Sequence, residues 1–135
     1  MTMTRVETVH AMWQRFEARD WAGARALLRD DAQLHWPTSG EHLLDADAAI
    51  RVQAIYPEGW SIHVIAVDAM ADGRVHSIVE VRHGSQRFFA NSRFGFDEAG
   101  RISEITEYWG TFETPPDWRT AEAIGAYRRD PEIPA

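Results

Sequence analysis

Two β-strands and the turn between them are encoded in residues 86–109, QRFFANSRFGFDEAGRISEITEYW. Alternate residues of the first strand form one face, which consists of Phe88, Ala90, Ser92, Phe94 and Phe96. Arg and Asn occupy much of the opposite face, so the period of two predicts a half-buried strand over residues 86–96. The turn at residues 97–100 predicts a hairpin whose second strand covers residues 101–109.

Further strands are predicted on the N-terminal side of this hairpin. Residues 60–71 and 74–82 have strand periodicity and are separated by an Asp-Gly pair. The break at residues 83–85 is a second hairpin signal and leads into the strand over residues 86–96. Together these signals predict an antiparallel meander of four strands.

The N-terminal part of the chain has helical periodicity instead. Thr4 and Glu7 have the spacing of a capping box, and the apolar residues behind them recur at helical spacing. This pattern predicts a first helix of about fifteen residues. Asp20 is expected to cap a second, shorter helix with apolar positions as far as Leu28.

A short strand and a third helix complete the prediction. The strand covers residues 32–36 and stops before a proline, and residues 38–44 are predicted to be loop. Asp45 or Asp47 is expected to cap the third helix, which ends at the Pro-Glu-Gly sequence that follows it.

The order of these elements predicts an α+β fold. The hairpin-linked strands curl into a cone-shaped, curved antiparallel sheet, which three N-terminal helices cover, and the cone encloses a pocket. We expect this domain to cover residues 1–110. Residues 111–135 are predicted to form a C-terminal appendage that packs on the domain through Trp118 and is partly ordered.

Composition removes several classes of chemistry. The chain has 135 residues and no Cys, which excludes thiol nucleophiles and thiolate metal sites. All 14 of its Lys and Arg residues are Arg, so a Schiff-base lysine is excluded as well. No His pair has the spacing of metal ligands on a helix, and no metal site is predicted. The remaining catalytic side chains are those of Asp, Glu, His, Tyr and Ser, which point to acid/base chemistry.

Charge and hydropathy limit the partners. The formal net charge is −7 and the one Arg cluster is the pair Arg128 and Arg129, so nucleic acid is not an expected partner. No apolar run approaches the roughly 18 residues that cross a bilayer, and the N-terminus lacks a signal-peptide core. We therefore expect a soluble, cytoplasmic protein with no membrane partner.

Two stretches of the sequence resemble a known superfamily. One is the aspartate-rich RDDA at residues 29–32 before a strand that ends in Trp-Pro, and the other is FGFDEAGRI at residues 94–102, followed by Tyr108 and Trp109. In their order and spacing they resemble the nuclear-transport-factor-2-like superfamily, and most of all its SnoaL-like branch. The superfamily includes isomerases, dehydratases, epoxide hydrolases, polyketide cyclases and non-catalytic proteins, so the resemblance implies a fold rather than one activity.

The ketosteroid isomerases of that superfamily use three side chains that this chain lacks. The resemblance places Trp36 where they have the general-base aspartate and Met12 where they have the oxyanion-hole tyrosine. Ser92 falls at the position of their protonated aspartate. These differences argue against isomerisation of 3-oxo-steroids.

Glu107 is the candidate catalytic residue. A four-residue turn would pair Ala90 with Glu107 and Phe88 with Trp109, and both pairs would face the interior of the cone. Burial among apolar groups would raise the pKa of Glu107, which suits a general acid or base. The alternative is a glutamate at the rim that pairs with an Arg or with a helix amide.

The pocket is predicted to be lined by the first helix, the short strand and the last hairpin. The residues are Met12, Trp13, Phe16, Trp36, Phe88, Ala90, Ser92, Phe94, Ile105 and Trp109. His10 is a candidate polar contact at the pocket edge. The Trp residues that border the cone serve either as core or as a stacking surface for a flat, apolar ligand.

A homodimer is predicted through the outer face of the sheet. The same register would place Phe89 opposite Tyr108 and Arg93 opposite Glu104, and aromatic residues and Arg are enriched in interface cores. Members of the superfamily that this chain resembles commonly pair through this face. The alternative is a monomer in which residues 115–118 cover Phe89.

The sequence therefore predicts a protein that binds a small hydrophobic molecule. The resemblance implies cofactor-independent acid/base catalysis of isomerase, lyase, cyclase or hydrolase type as one function, and non-catalytic ligand binding or interaction as the other. A cone that is filled by its own aromatic side chains is a third alternative.

Overall fold

Six strands form one curved sheet in the computed structural model, which describes residues 2–130. The helices are α1 (Arg5–Glu17), α2 (Trp21–Arg25), α3 (Ala46–Ala54) and α4 (Ala121–Ile124). The strands are β1 (Leu28–Trp36), β2 (Glu41–Leu43), β3 (Trp60–Ala69), β4 (Val75–His83), β5 (Gln86–Phe96) and β6 (Ile102–Thr111). Their order in the sheet is β2-β1-β6-β5-β4-β3, so the α+β fold with a curved, unclosed sheet under N-terminal helices is confirmed.

The first helix begins and packs as its sequence predicts. The Thr4 hydroxyl accepts from the Glu7 amide at 3.1 Å, and the Glu7 carboxylate accepts from the Thr4 amide at 2.8 Å. The buried stripe of α1 lies against β3 and β4. The Trp13 indole N–H donates to the Ser77 hydroxyl of β4 at 3.1 Å, which ties the helix to the inner face of the sheet.

The chain between α2 and α3 differs from the prediction. Helix α2 ends at Arg25, so Leu28 belongs to β1, and the pairing of β1 with β6 contains an irregularity that accommodates the two aspartates. A short strand, β2, pairs with β1 in the stretch that was predicted to be loop. The amide of Gly40 donates to the Trp36 carbonyl at 2.9 Å, and the positive φ of Gly40 lets the chain turn back onto β1.

The last hairpin has the predicted faces but not the predicted register. Ser92 lies opposite Glu107, and Ala90 lies opposite Trp109. The Asp97 amide bonds the Arg101 carbonyl at 2.9 Å, which shortens the turn by one residue, and the pairing shifts by one further residue beyond Gly95. Because the two shifts add up to two residues, the side chains of β6 stay on the faces that the sequence predicts.

Burial confirms the assignment of the faces. Glu107 is 3% exposed on the inner face of β6, whereas the adjacent Tyr108 is 43% exposed on the outer face. The register also replaces the predicted outer pairs, because Tyr108 lies opposite Asn91 and Arg93 lies opposite Thr106. The predicted pairs of Phe89 with Tyr108 and of Arg93 with Glu104 are therefore wrong.

The C-terminal segment makes few contacts as far as residue 130. Helix α4 buries none of its residues, and Trp118 is 71% exposed, so this indole does not hold the segment against the sheet. The part of the predicted appendage at residues 131–135 lies outside the described residues. Within residues 2–130, no helix has both the length and the apolar composition needed to cross a bilayer.

Candidate functional site

A cavity of about 540 Å³ lies between α3 and the inner face of the sheet. Its lining residues are Trp36, Val52, Gln53, Ile55, Tyr56, Pro57, Val81, Phe88 and Trp109. The volume falls within the range of small-molecule sites, and most of these side chains are apolar or aromatic.

Helix α3 and the segment after it form one wall of the cavity. Asp45 caps the helix by accepting from the Ala48 amide at 2.8 Å, and Ala49 and Ile50 bury the opposite side of the helix in the core. Val52, in the last turn, then faces the cavity, and Pro57 prevents the helix from continuing. The wall is thus held by the core packing of α3.

Two tryptophans from β1 and β6 form the facing wall. The rings of Trp36 and Trp109 are edge to face, with centroids 6.4 Å apart and an interplanar angle of 84°. Both belong to strands that are hydrogen-bonded neighbours in the sheet. Val81 and Phe88, on β4 and β5, extend this wall toward the next hairpin.

Behind Trp36, the carboxylate of Glu107 accepts two hydrogen bonds. The Trp36 indole N–H donates to Oε1 at 3.0 Å, and the Ser92 hydroxyl donates to Oε2 at 2.6 Å. Ser92 is fully buried and Glu107 is nearly so. Burial raises the pKa of the Glu107 carboxyl, and the polar contacts of Ser92, Trp36 and Trp109 oppose this rise without cancelling it.

The carboxylate is therefore one hydrogen bond away from the cavity wall. Glu107 itself is not among the lining residues, whereas Trp36 lines the cavity with its ring and bonds Glu107 with its indole nitrogen. In this position the carboxylate can fix the orientation of Trp36. It can also hold a proton close to bound ligand.

The structure brings together three of the ten predicted pocket residues. Trp36, Phe88 and Trp109 line the cavity. The other seven are buried away from the cavity wall, and these are Met12, Trp13, Phe16, Ala90, Ser92, Phe94 and Ile105. The physical reason is that α1 packs so closely on β3 and β4 that its aromatic side chains fill that end of the cone.

His10 occupies a half-buried position on α1 and does not line the cavity. Sequence reasoning missed the wall from α3 and the segment after it, which contribute Val52, Gln53, Ile55, Tyr56 and Pro57. The apolar positions 52, 55 and 56 have helical spacing and were the available signal. Which helix lies over the open end of a sheet is a tertiary property, so the spacing alone does not reveal it.

The fold is that of the nuclear-transport-factor-2-like superfamily, as the resemblance predicts. No protein-family model and no curated protein sequence matches the chain. Solved structures do match it. A ketosteroid isomerase-like protein from Kribbella flavida superimposes with a TM-score of 0.81 at 22% identity, covering 95% of this chain and 90% of that one.

Two further structures show the range of proteins with this fold. An NTF-2 like protein of unknown function from Burkholderia xenovorans has a TM-score of 0.74 and 20% identity, covering 85% of this chain and 90% of its own. A steroid delta-isomerase from Pseudomonas aeruginosa has a TM-score of 0.64 and 21% identity, with 82% of each chain covered. Identities this low establish the fold alone.

The variant Glu107→Gln tests the protonation of the buried carboxyl. A raised pKa in the folded state means that its contribution to stability is present below the ordinary value of 4.5 and is lost as pH rises through the folded value. The Gln side chain does not titrate. The stability of Glu107→Gln relative to the unmodified protein should therefore increase as the pH is raised from about 4 to about 8.

Guanidinium unfolding at both pH values measures this difference. Glu104→Gln is the matched control, because Glu104 is exposed on the outer face of the same strand. A stability difference for Glu107→Gln that stays constant, or that moves in the opposite direction, would contradict a raised pKa.

Proposed function

We propose that this protein binds a small hydrophobic molecule in the cavity under α3. The proposal rests on the cavity itself, whose volume of about 540 Å³ is bounded mostly by aromatic and aliphatic side chains from α3, the segment after it and four strands. Binding would remove apolar surface from water on both partners, which is the main source of affinity in such sites.

The shape of the wall favours a flat ligand. Trp36 and Trp109 meet edge to face, so a planar ring can pack against the face of one indole and contact the edge of the other. The indole N–H of Trp36 is already bonded to Glu107. Because its N–H is used in this way, Trp36 can contact a ligand only through the apolar surface of its ring.

The structural neighbours are consistent with ligand binding in this fold. They include the steroid delta-isomerase from Pseudomonas aeruginosa, an LEH-like epoxide hydrolase from M. tuberculosis and a SnoaL-like polyketide cyclase from Shewanella denitrificans. Their names describe different reactions on small molecules. They support a pocket-based function for this chain without selecting one reaction.

Catalysis is the second candidate function, and Glu107 is its proposed acid/base residue. The favourable observation is a buried carboxyl with a raised pKa that contacts a cavity-lining side chain. Such a group can exchange a proton with a carbon next to a carbonyl without a cofactor, provided that the Trp36 side chain moves aside and lets ligand reach the carboxyl. Isomerisation of 3-oxo-steroids is not expected, because Trp36, Met12 and Ser92 provide neither its base nor its acidic donors.

Filling the cavity should weaken binding. Val52→Trp places an indole on the cavity side of α3, and we expect it to weaken the affinity for 2-methoxynaphthalene by about tenfold or more, since the ligand loses buried apolar surface. Tryptophan fluorescence titration measures the affinity. Ile65→Trp is the control, because Ile65 is 56% exposed and does not line the cavity. Equal affinities for the two variants would place the binding site elsewhere.

Proton exchange separates catalysis from simple binding. If Glu107 exchanges protons with ligand, the protein should accelerate deuterium incorporation next to the carbonyl of 2-tetralone in D₂O, and Glu107→Gln should abolish the acceleration while binding persists. Proton NMR follows the exchange. If deuterium incorporation is as fast in buffer alone as with the protein, the catalytic function is contradicted and the binding function is unaffected.

We also propose that the protein is a homodimer through the outer face of the sheet. Tyr108 is 43% exposed there, and the half-buried Phe89 lies on the same face beside the Arg87 guanidinium, whose carbon is 5.5 Å from the ring centroid. Aromatic side chains and Arg are typical of interface cores.

A cytoplasmic location stays a prediction.

Light scattering tests the dimer. We expect a mass of twice 15.4 kDa at micromolar concentration, and the monomer mass for Tyr108→Glu, because a charge would be buried in the interface. Trp118→Glu is the control, since Trp118 is an exposed aromatic outside the sheet. An unchanged dimer for Tyr108→Glu would place the interface on another surface, and a monomeric unmodified protein would remove the proposal.

A further inference from the structure

Tyr56, a lining residue of the cavity, belongs to a chain of three polar groups. Its hydroxyl lies 2.7 Å from Nδ1 of His83, at the end of β4. The other ring nitrogen of His83, Nε2, lies 3.1 Å from the backbone carbonyl of Glu58. These contacts join the end of α3, the loop before β3 and the β4–β5 hairpin.

The carbonyl of Glu58 determines the direction of both hydrogen bonds. A carbonyl oxygen only accepts, so Nε2 of His83 must carry the proton that it donates. In a neutral imidazole, Nδ1 is then an acceptor, and the Tyr56 hydroxyl must donate to it. The single hydroxyl proton of Tyr56 is therefore used in the hydrogen bond to His83. Toward a ligand, the Tyr56 oxygen can only accept a hydrogen bond.

The Tyr56 ring is also fixed in place. It stacks on Trp60 with centroids 6.1 Å apart and an interplanar angle of 27°. The guanidinium carbon of Arg19 lies 3.3 Å from the Trp60 ring centroid, and Arg19 forms an ion pair with Glu58 at 3.0 Å. Stacking on one side and the bond to His83 on the other hold the phenol before any ligand arrives.

From this arrangement we infer that the cavity is selective for hydrophobic molecules that carry a hydroxyl group, such as a phenol or an alcohol, and that Tyr56 is the hydrogen-bond acceptor that anchors them. The inference rests on the proposed binding function and adds the chemical class of the ligand. A donor from the ligand would extend the chain from ligand to Tyr56 to His83 to Glu58. Successive hydrogen bonds in such a chain strengthen one another.

Other polar groups on the cavity wall fit this role less well. The Trp36 indole N–H is bonded to Glu107, and an indole nitrogen cannot accept a hydrogen bond. Gln53 has both donors and an acceptor, so it does not discriminate between a hydroxyl and an ether. Gln53 is therefore the competing anchor that an experiment must separate from Tyr56.

The test compares 2-naphthol, which has a hydroxyl donor, with 2-methoxynaphthalene, which has the same ring system and no donor. Affinities of both are measured by fluorescence titration at about pH 8. The informative quantity is the ratio of the two affinities. Tyr56→Phe should reduce the preference for 2-naphthol over 2-methoxynaphthalene by roughly fivefold, and a change that is common to both probes cancels in this ratio.

His83→Leu gives an independent readout. Without Nδ1 as acceptor, the Tyr56 hydroxyl can turn its proton toward the ligand, so the affinity for 2-acetylnaphthalene, an acceptor without a donor, should rise relative to that for 2-naphthol. A structural role of His83 would instead weaken all three naphthalenes together. Thermal unfolding of each variant confirms that the affinities are those of folded protein.

Three results would overturn the inference. An unchanged affinity ratio in Tyr56→Phe would remove Tyr56 as the anchor, and a fall of the ratio in Gln53→Leu alone would assign the role to Gln53. Parallel weakening of all probes in His83→Leu would contradict the fixed direction of the hydrogen bonds. If Val52→Trp does not affect the binding of any naphthalene, the proposed function itself fails, which is a separate outcome.

Discussion

Glu107 places a carboxylate on the inner face of β6, where the strands on either side each donate a hydrogen bond to it. Trp36 donates from β1 and Ser92 donates from β5. Removing the carboxylate would leave the buried Ser92 hydroxyl without its partner, which typically costs about 1–3 kcal/mol, and would also remove the acceptor of the half-buried Trp36 indole N–H. This constraint orients Trp36, and Trp36 forms much of the aromatic wall of the cavity.

The aromatic side chains divide the interior of the cone into a filled part and an open part. Trp13 contacts Phe16 and Phe94 edge to face, with centroids 5.7 Å and 6.5 Å apart, and these rings pack together beneath α1. The open part lies beneath α3. Core and cavity thus share one sheet, and the packing of α1 stabilises the strands that carry the cavity wall.

Much of this arrangement could be predicted from periodicity, because strand side chains alternate strictly between the two faces. The inward position of Glu107 follows from this alternation. It is unaffected by the error in register, because the shorter turn and the further one-residue shift add up to two residues and leave each side chain on the same face. The position of α3 and the contact between Tyr56 and His83 depend on tertiary packing between distant segments. Alternation within single elements contains no information about either of them.

The central claim is that Trp36 connects the hydrophobic cavity to the buried carboxylate. Nuclear magnetic resonance of the six ¹⁵N-labelled indole N–H groups, with and without 2-naphthol, tests it most directly. The account predicts that ligand shifts the Trp36 and Trp109 resonances, leaves those of Trp13 and Trp118 unchanged, and that Glu107→Gln moves Trp36 in the free protein. A ligand that perturbs Trp13 or Trp118 while Trp36 stays unchanged would contradict it.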